Sequence, residues 1–352
     1  MRHGFSYCVA ALTSLVFFAS PSDGKTLPAC PEGFTPKAGL NTGFISDDIA
    51  RAFIVVPPAK QTAPAPVWVP LTGSVEATNW NLFALRSGNN AKLADAGFMV
   101  IAPIRQCAKQ DPDVSAGECN GPGHGGWNWN PWNDGRSAGV EGQRWANNSG
   151  ADANFFKSMV RCVGTKWKLD SRRYFIGGIS AGATMTNRAL LFGSDFWAGG
   201  MPISGEWYAT KDDGTPLSFD QGREAVAASP AKVFEGRVGP YPLPRRLYPM
   251  TIITVWGGDK DLWKCAGVLC ADYRPSTQAA SNYYSAQPDT VHVACSATHG
   301  HMWPQVNTDA FNLWALRTLS SRPKGSPRSA FRLTPPPPGY SCQIGRFMDH
   351  YQ

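Results

Sequence analysis

Arg173-Tyr174-Phe175-Ile176-Gly177-Gly178-Ile179-Ser180-Ala181-Gly182-Ala183-Thr184-Met185 decides how the rest of the chain is read. Arg173 to Gly177 is a β-rich run, and Ala181 to Phe192 reads as a helix. Between them, Gly178-Ile179-Ser180-Ala181-Gly182 has the form G-x-S-x-G. Five residues of this form also arise by chance, so the strand before them and the helix after them carry the argument. The glycines permit a sharp turn, which lifts the Ser180 hydroxyl clear of the sheet. The backbone N–H of Ala181, at the start of the helix, then faces the place where an oxyanion would develop.

Outward from this turn, apolar runs alternate with helix-like segments, the order of a mostly parallel sheet covered by helices. Ala52 to Val56 and Val67 to Leu71 read as early strands, and about Asn79 to Ala94 as a helix. Phe98 to Ala102 reads as a buried strand stopped by Pro103. Ile104 to Gly150 has little periodicity and reads as a long loop of the kind usually kept for function. Ala151 to Val163 predicts a helix, Trp197 to Ile203 a strand, and Gly205 to Tyr248 a Gly- and Pro-rich insertion. Met250 to Val255 and Thr290 to Ala294 read as further strands. Val306 to Leu319 reads as an amphipathic helix offering Phe311, Trp314 and Leu319 to the core. The expected division is 1–24 signal peptide, 25–49 N-terminal extension, 50–320 catalytic domain and 321–352 Pro-rich tail.

A serine hydroxyl is a weak nucleophile at neutral pH, so it needs a base, and the base needs an orienting carboxylate. On α/β-hydrolase folds these follow the serine in the order acid, then histidine. The strand ending at Trp256 runs into Gly257-Gly258-Asp259-Lys260-Asp261. Asp261 is preferred because Gly258 precedes it by three residues, and Asp259 is the alternative. Thr298-His299-Gly300-His301-Met302-Trp303-Pro304 then offers two imidazoles. His301 is preferred for its Gly-His-x-Trp-Pro setting, with His299 as the alternative. Two histidines and neighbouring aspartates match no standard zinc spacing, so no metal and no cofactor is expected. His124, in Gly-Pro-Gly-His-Gly-Gly, reads as a loop residue. The second oxyanion donor falls by position on the N–H of Ser74, after Leu71-Thr72-Gly73, although Ser74 equally suits a simple turn.

Composition sets the broad class. Among 352 residues, 43% are hydrophobic and 17% charged, which is the balance of a packed globular chain. The formal charge of +7 is scattered, so a nucleic-acid partner is not expected. Met1 to Gly24 has a basic start, an apolar stretch from about Val9 to Ala19 and then small residues. This reads as a secretory signal peptide cleaved between Ser20 and Lys25. No later run reaches the ~20 apolar residues of a membrane span, so the protein is expected to be exported, to a periplasm or the medium. Beyond Cys8, eight cysteines remain: Cys30, Cys107, Cys119, Cys162, Cys265, Cys270, Cys295 and Cys342. An even count in an exported chain favours disulfides without choosing their pairing. Cys265 and Cys270 could close a short loop, and Cys342 could pin the tail to the body.

The residues from Arg144 through Asp170-Ser171-Arg172-Arg173-Tyr174, the Gly-x-Ser-Ala-Gly turn with Met185, and the Gly-His-x-Trp-Pro ending resemble the secreted depolymerase and feruloyl-esterase group of α/β-hydrolases. Within that group, the layout of Ser74, Ser180, Asp261 and His301, with Trp263 just after the acid, is most similar to the oxidized poly(vinyl alcohol) hydrolases, which cleave β-diketones. The resemblance covers roughly residues 50 to 320. It implies an α/β-hydrolase fold, a Ser180–His301–Asp261 triad and an oxyanion hole from Ser74 and Ala181. It also implies a polymeric or small carbonyl substrate.

Trp127, Trp129, Trp132 and Trp145 cluster in or near the long loop. Trp207, Tyr208, Trp263 and Tyr273 fall in segments expected near the same end of the sheet. Indoles offer flat apolar area with a polar edge, suited to a partly hydroxylated chain. Trp127, Trp129, Trp263 and Tyr273 are therefore the candidate substrate-binding residues, although any one tryptophan more often packs a core. Two other readings stand beside β-diketone cleavage. One is a polyester depolymerase or feruloyl or acetyl xylan esterase, and the other is a non-catalytic polymer-binding protein on the same fold.

Overall fold

Successive residues of a strand point to opposite faces of its sheet, and here both faces are apolar. Val67, Val69 and Leu71 join one buried cluster while Trp68 joins another. Ile176 and Phe175 divide in the same way, as do Ile252 and Ile253. A strand buried on both faces reads as a continuous apolar run, the mark of a sheet covered on both sides. The structure is a computed structural model, and it describes residues 29–47, 49–73, 89–104, 151–205, 246–265, 268–298, 300–301 and 308–347.

Among the described residues, nine strands form the main sheet: β1 (Gly39–Ser46), β2 (Ile49–Val56), β3 (Ala65–Leu71), β4 (Met99–Ile104), β5 (Leu169–Ile179), β6 (Gly199–Ile203), β7 (Thr251–Trp256), β10 (Val291–Ala297) and β11 (Tyr340–Ile344). A separate antiparallel ribbon pairs β8 (Leu262–Cys265) with β9 (Val268–Asp272). The order across the main sheet is β1-β2-β4-β3-β5-β6-β7-β10-β11. Pairing is parallel from β4 through β10 and antiparallel at both edges. This is the expected α/β-hydrolase architecture.

The helices are α1 (Asn89–Asp95), α2 (Ala151–Val163), α3 (Ala181–Phe192), α4 (Tyr273–Ala286) and α5 (Thr308–Ser320). Helix α2 buries Phe155, Phe156, Met159 and Val160, spaced at i, i+1, i+4 and i+5, in the cluster that α3 and α4 also enter. Helices α1 and α5 cover the other face, with Leu93 from the first and Phe311, Trp314 and Leu319 from the second. The three residues read as core positions of α5 are all in that cluster.

Several expectations are revised. Strand β4 runs through Pro103, which lies opposite Phe53, to Ile104. The parallel ladder of β4 with β3 covers only Met99 and Val100. Pro103 keeps its place opposite Phe53 because a strand can hold a proline where an N–H is not part of the ladder. The segment read as an N-terminal extension supplies edge strand β1, and the segment read as a tail supplies β11. A Cys30–Cys162 disulfide ties residue 30 to α2, and Cys295–Cys342 joins directly opposed residues of β10 and β11. The pinning role read for Cys342 is thus realised. Cys265 and Cys270 lie on the two ribbon strands, while Cys107 and Cys119 lie outside the described residues.

Candidate active site

Strand β3 and the residue after it pass so close to the β5–α3 turn that a side chain has no room at Gly178 or Gly182. A Cβ on Gly178 would lie 2.3 Å from the Leu71 carbonyl oxygen, and one on Gly182 would lie 2.5 Å from that oxygen and 2.7 Å from that of Thr72. The two glycines of the motif are therefore required by backbone proximity. Ser180 sits between them with φ 55° and ψ −122°, a left-handed conformation that costs a non-glycine residue roughly 1 kcal/mol or more. The strain is held by hydrogen bonds: Ser180 N–H donates to Ile203 O at 3.1 Å, and Thr184 N–H donates to Ser180 O at 2.9 Å. Ala181 opens α3, so its N–H belongs to the first helical turn, where amides lack an intrahelical acceptor.

The carboxyl ends of β7 and β10 carry the acid and the imidazole. Asp261 is fully buried, whereas Asp259 and Lys260 are exposed. Asp261 Oδ2 accepts the Gly257 N–H at 2.8 Å, and Oδ1 lies 3.0 Å from His301 Nδ1. A carboxylate only accepts, so Nδ1 carries the proton and Nε2 keeps a lone pair. The His301 side chain is 8% exposed, enough to meet an incoming molecule. Two glycines bring these loops together. Gly300 N–H donates to Gly257 O at 2.8 Å, and a Cβ on Gly257 would strike the Gly300 carbonyl oxygen at 2.1 Å.

Tyr273, the first residue of α4, is buried beside all of this. Its hydroxyl is 3.4 Å from Ser180 Oγ, and its ring stacks on the His301 imidazole with centroids 4.1 Å apart and planes 2° from parallel. The structure thus gathers Ser180, Asp261, His301 and Tyr273 at one end of the sheet. Asp259, the alternative acid, points into solvent. Trp263 lies on β8, opposite Ala271 of β9. Ser74, Trp127, Trp129, Trp132, Trp145, His124, Trp207, Tyr208 and His299 lie outside the described residues. The segment after β3 is described up to Gly73, two residues beyond Leu71, whose carbonyl oxygen lies against the elbow. A surface groove of 590 Å³, lined by Arg161, Tyr174, Phe196, Tyr248 and Lys324 among others, opens at the amino ends of β6 and β7, away from Ser180.

The chain is 65% identical over 347 residues to the oxidized polyvinyl alcohol hydrolase of Sphingopyxis sp. (strain 113P3), covering 98% of this chain and 95% of that one. It is 62% identical over 327 residues to an oxidized polyvinyl alcohol hydrolase of a Pseudomonas species, covering 92% and 86%. It belongs to the oxidized polyvinyl alcohol hydrolase family. Solved structures agree with this membership. The native crystal structure of sOPH is 67% identical, with a TM-score of 0.76, covering 92% of this chain and 99% of that one. That of native pOPH is 62% identical, also at 0.76, covering 92% and 98%. An S-formylglutathione hydrolase from Agrobacterium tumefaciens, 14% identical at a TM-score of 0.50 and covering 80% and 94%, shares the fold alone. No protein-family model matches the chain.

In this member of the oxidized polyvinyl alcohol hydrolase family, two contacts of the candidate site had no signal in the sequence. They are the bond from Gly257 N–H to the acid and the stack of Tyr273 on His301. In the sequence Tyr273 reads only as an aromatic residue in a segment expected near the same end of the sheet. The first depends on how the single loop after β7 turns back on itself, and the second on the end of the ribbon meeting the loop after β10 in space.

Proposed function

We propose that the protein is an exported serine hydrolase that cleaves the β-diketone carbon–carbon bonds of oxidized poly(vinyl alcohol). The observation that carries the mechanism is the buried Asp261–His301 pair at 3.0 Å beside the strained Ser180 turn. The substrate follows from the relatives' activity, read together with family membership across nearly the whole chain.

Ser180 Oγ attacks one carbonyl carbon as His301 Nε2 takes its proton, and Asp261 stabilises the imidazolium. Backbone N–H groups of Ser74 and Ala181 hold the oxyanion. When the tetrahedral adduct collapses, the carbon–carbon bond breaks and its electron pair passes to the second carbonyl as an enolate. Imidazolium returns its proton to the enolate carbon, giving a methyl ketone. Water, deprotonated by His301, then attacks the acyl-serine, releasing a carboxylic acid and free Ser180. The Tyr273 hydroxyl gives its place beside Ser180 to the entering carbonyl and hydrogen-bonds the bound substrate. Trp127, Trp129 and Trp263 offer apolar faces to the polymer chain. No cofactor enters any of these steps.

The test compares wild type with Ser180→Ala on a small β-diketone, a poly(3-hydroxybutyrate) film and an aryl ester. Wild type is expected to turn over the diketone, and the variant to lose roughly 10⁴-fold or more in kcat. Undiminished activity in Ser180→Ala would overturn the serine mechanism, and turnover of esters alone would overturn the diketone assignment.

A further inference from the structure

Tyr273 touches each member of the Ser180, Asp261 and His301 set. Its hydroxyl is 3.4 Å from Ser180 Oγ, its ring is stacked on His301, and its backbone N–H donates to the Asp261 carbonyl oxygen at 3.2 Å. This convergence is built by the ribbon. Strand β8 starts immediately after Asp261 and β9 ends immediately before Tyr273. The pair Leu262↔Asp272 closes the ribbon, so the acid and the tyrosine are neighbours. The next residue, Arg274, holds the first turn of α4 in place, its guanidinium carbon 5.2 Å from the ring centre of Trp256 at the end of β7.

The hydrogen bond from His301 Nδ1–H to Asp261 fixes one atom of the imidazole and, with the covalent bond at Cγ, leaves the ring free to tilt about the line through these two atoms. A flat face held parallel to the ring removes the tilt. Its direction matters, because Nε2 must point at the serine proton for transfer, and small misplacements at a reacting centre cost large factors in rate.

We propose that Tyr273 is a positioning residue, whose ring sets the plane of the His301 imidazole while the carboxylate of Asp261 sets its rotation. This rests on the triad reading above. The aromatic face does the positioning, separately from the hydroxyl that meets substrate.

Tyr273→Phe and Tyr273→Leu separate the two roles. The first keeps the flat ring and removes the hydroxyl, and the second keeps similar bulk without a plane. Aryl-ester hydrolysis is measured, with kcat normalised to serines titrated by a fluorophosphonate so that unfolded protein is not counted. For Tyr273→Phe the expected change is a rise in KM of several-fold, with kcat within about three-fold of wild type. For Tyr273→Leu kcat falls by about 10- to 100-fold. Equal kcat in the two variants, high or low, overturns the positioning role. Ser180→Ala is run alongside: if it retains ester hydrolysis, the triad reading itself fails. If it is inactive while Phe and Leu behave alike, only the positioning role fails.

Discussion

His292 of β10 is an imidazole used for structure. Its Nε2 lies 2.7 Å from Thr254 Oγ1 and its Nδ1 2.9 Å from Ser285 Oγ, with the Tyr284 ring 6.1 Å away. Burial pushes its pKa down to about 3, with a backbone hydrogen bond to Gly345 acting the other way. The unfolded chain, with an ordinary value near ~6.5, therefore binds a proton before the folded one does. Stability from this site is whole above pH ~6.5 and is lost as pH falls toward ~3, at about 1 kcal/mol per pH unit. Urea unfolding of wild type and His292→Gln at pH 7 and pH 5 checks this: the wild-type loss should exceed that of the variant by about 2 kcal/mol. Equal losses would remove His292 from the account. Gly182 gives a second residue-scale expectation. Gly182→Ala puts a methyl against two backbone carbonyls. It is expected to destabilise by about 1–3 kcal/mol and to lower kcat, read from thermal melts and ester hydrolysis. The Ser180 turn was legible because its two glycines, the strand before it and the helix after it are contiguous in sequence. The choice between Asp261 and Asp259 was not a local matter, since burial and the Gly257 N–H separate them.

Elements were legible where burial falls on apolar side chains. The central strands and α2, α3 and α5 announced themselves in this way. Helix α4 did not, because its buried positions are Tyr273, Ser276, Thr277, Ala280, Ser281 and Tyr284. That spacing is helical, but four of the six side chains are small and polar or only a methyl group, so a hydrophobic count passes over them. Pro275 also reads as a breaker, although it lies in the first turn, where a missing N–H is tolerated. Among the described residues, edge strands β1 and β11 pair on one side only and bury irregularly, which blurs their alternation. The short ribbon strands, four and five residues long, gave too few positions to show a period. Strand β11 depends on its covalent link to β10. Cys342→Ser is expected to cost about 2–4 kcal/mol and to raise hydrogen exchange along β10 and β11. An unchanged melting temperature and exchange pattern would show that strand pairing alone holds that edge.

At the scale of the whole molecule, two disulfides among the described residues tie the outer segments to the hydrolase core, and such bonds persist in the oxidising surroundings an exported protein meets. Element order carried the mostly parallel, helix-covered sheet, because apolar strands alternating with helices leave few other ways to bury both faces. The α/β-hydrolase fold was read from the Gly178–Gly182 turn and the family resemblance. Substrate is a different matter. The same serine, imidazole and carboxylate serve esters and β-diketones, so it was the relatives and not the triad that narrowed the chemistry. The product balance on a linear β-diketone tests this most directly. The wild-type enzyme should release one methyl ketone and one carboxylate for each diketone consumed, both quantified by NMR, with neither formed by Ser180→Ala. An intact diketone alongside rapid ester hydrolysis would contradict the account.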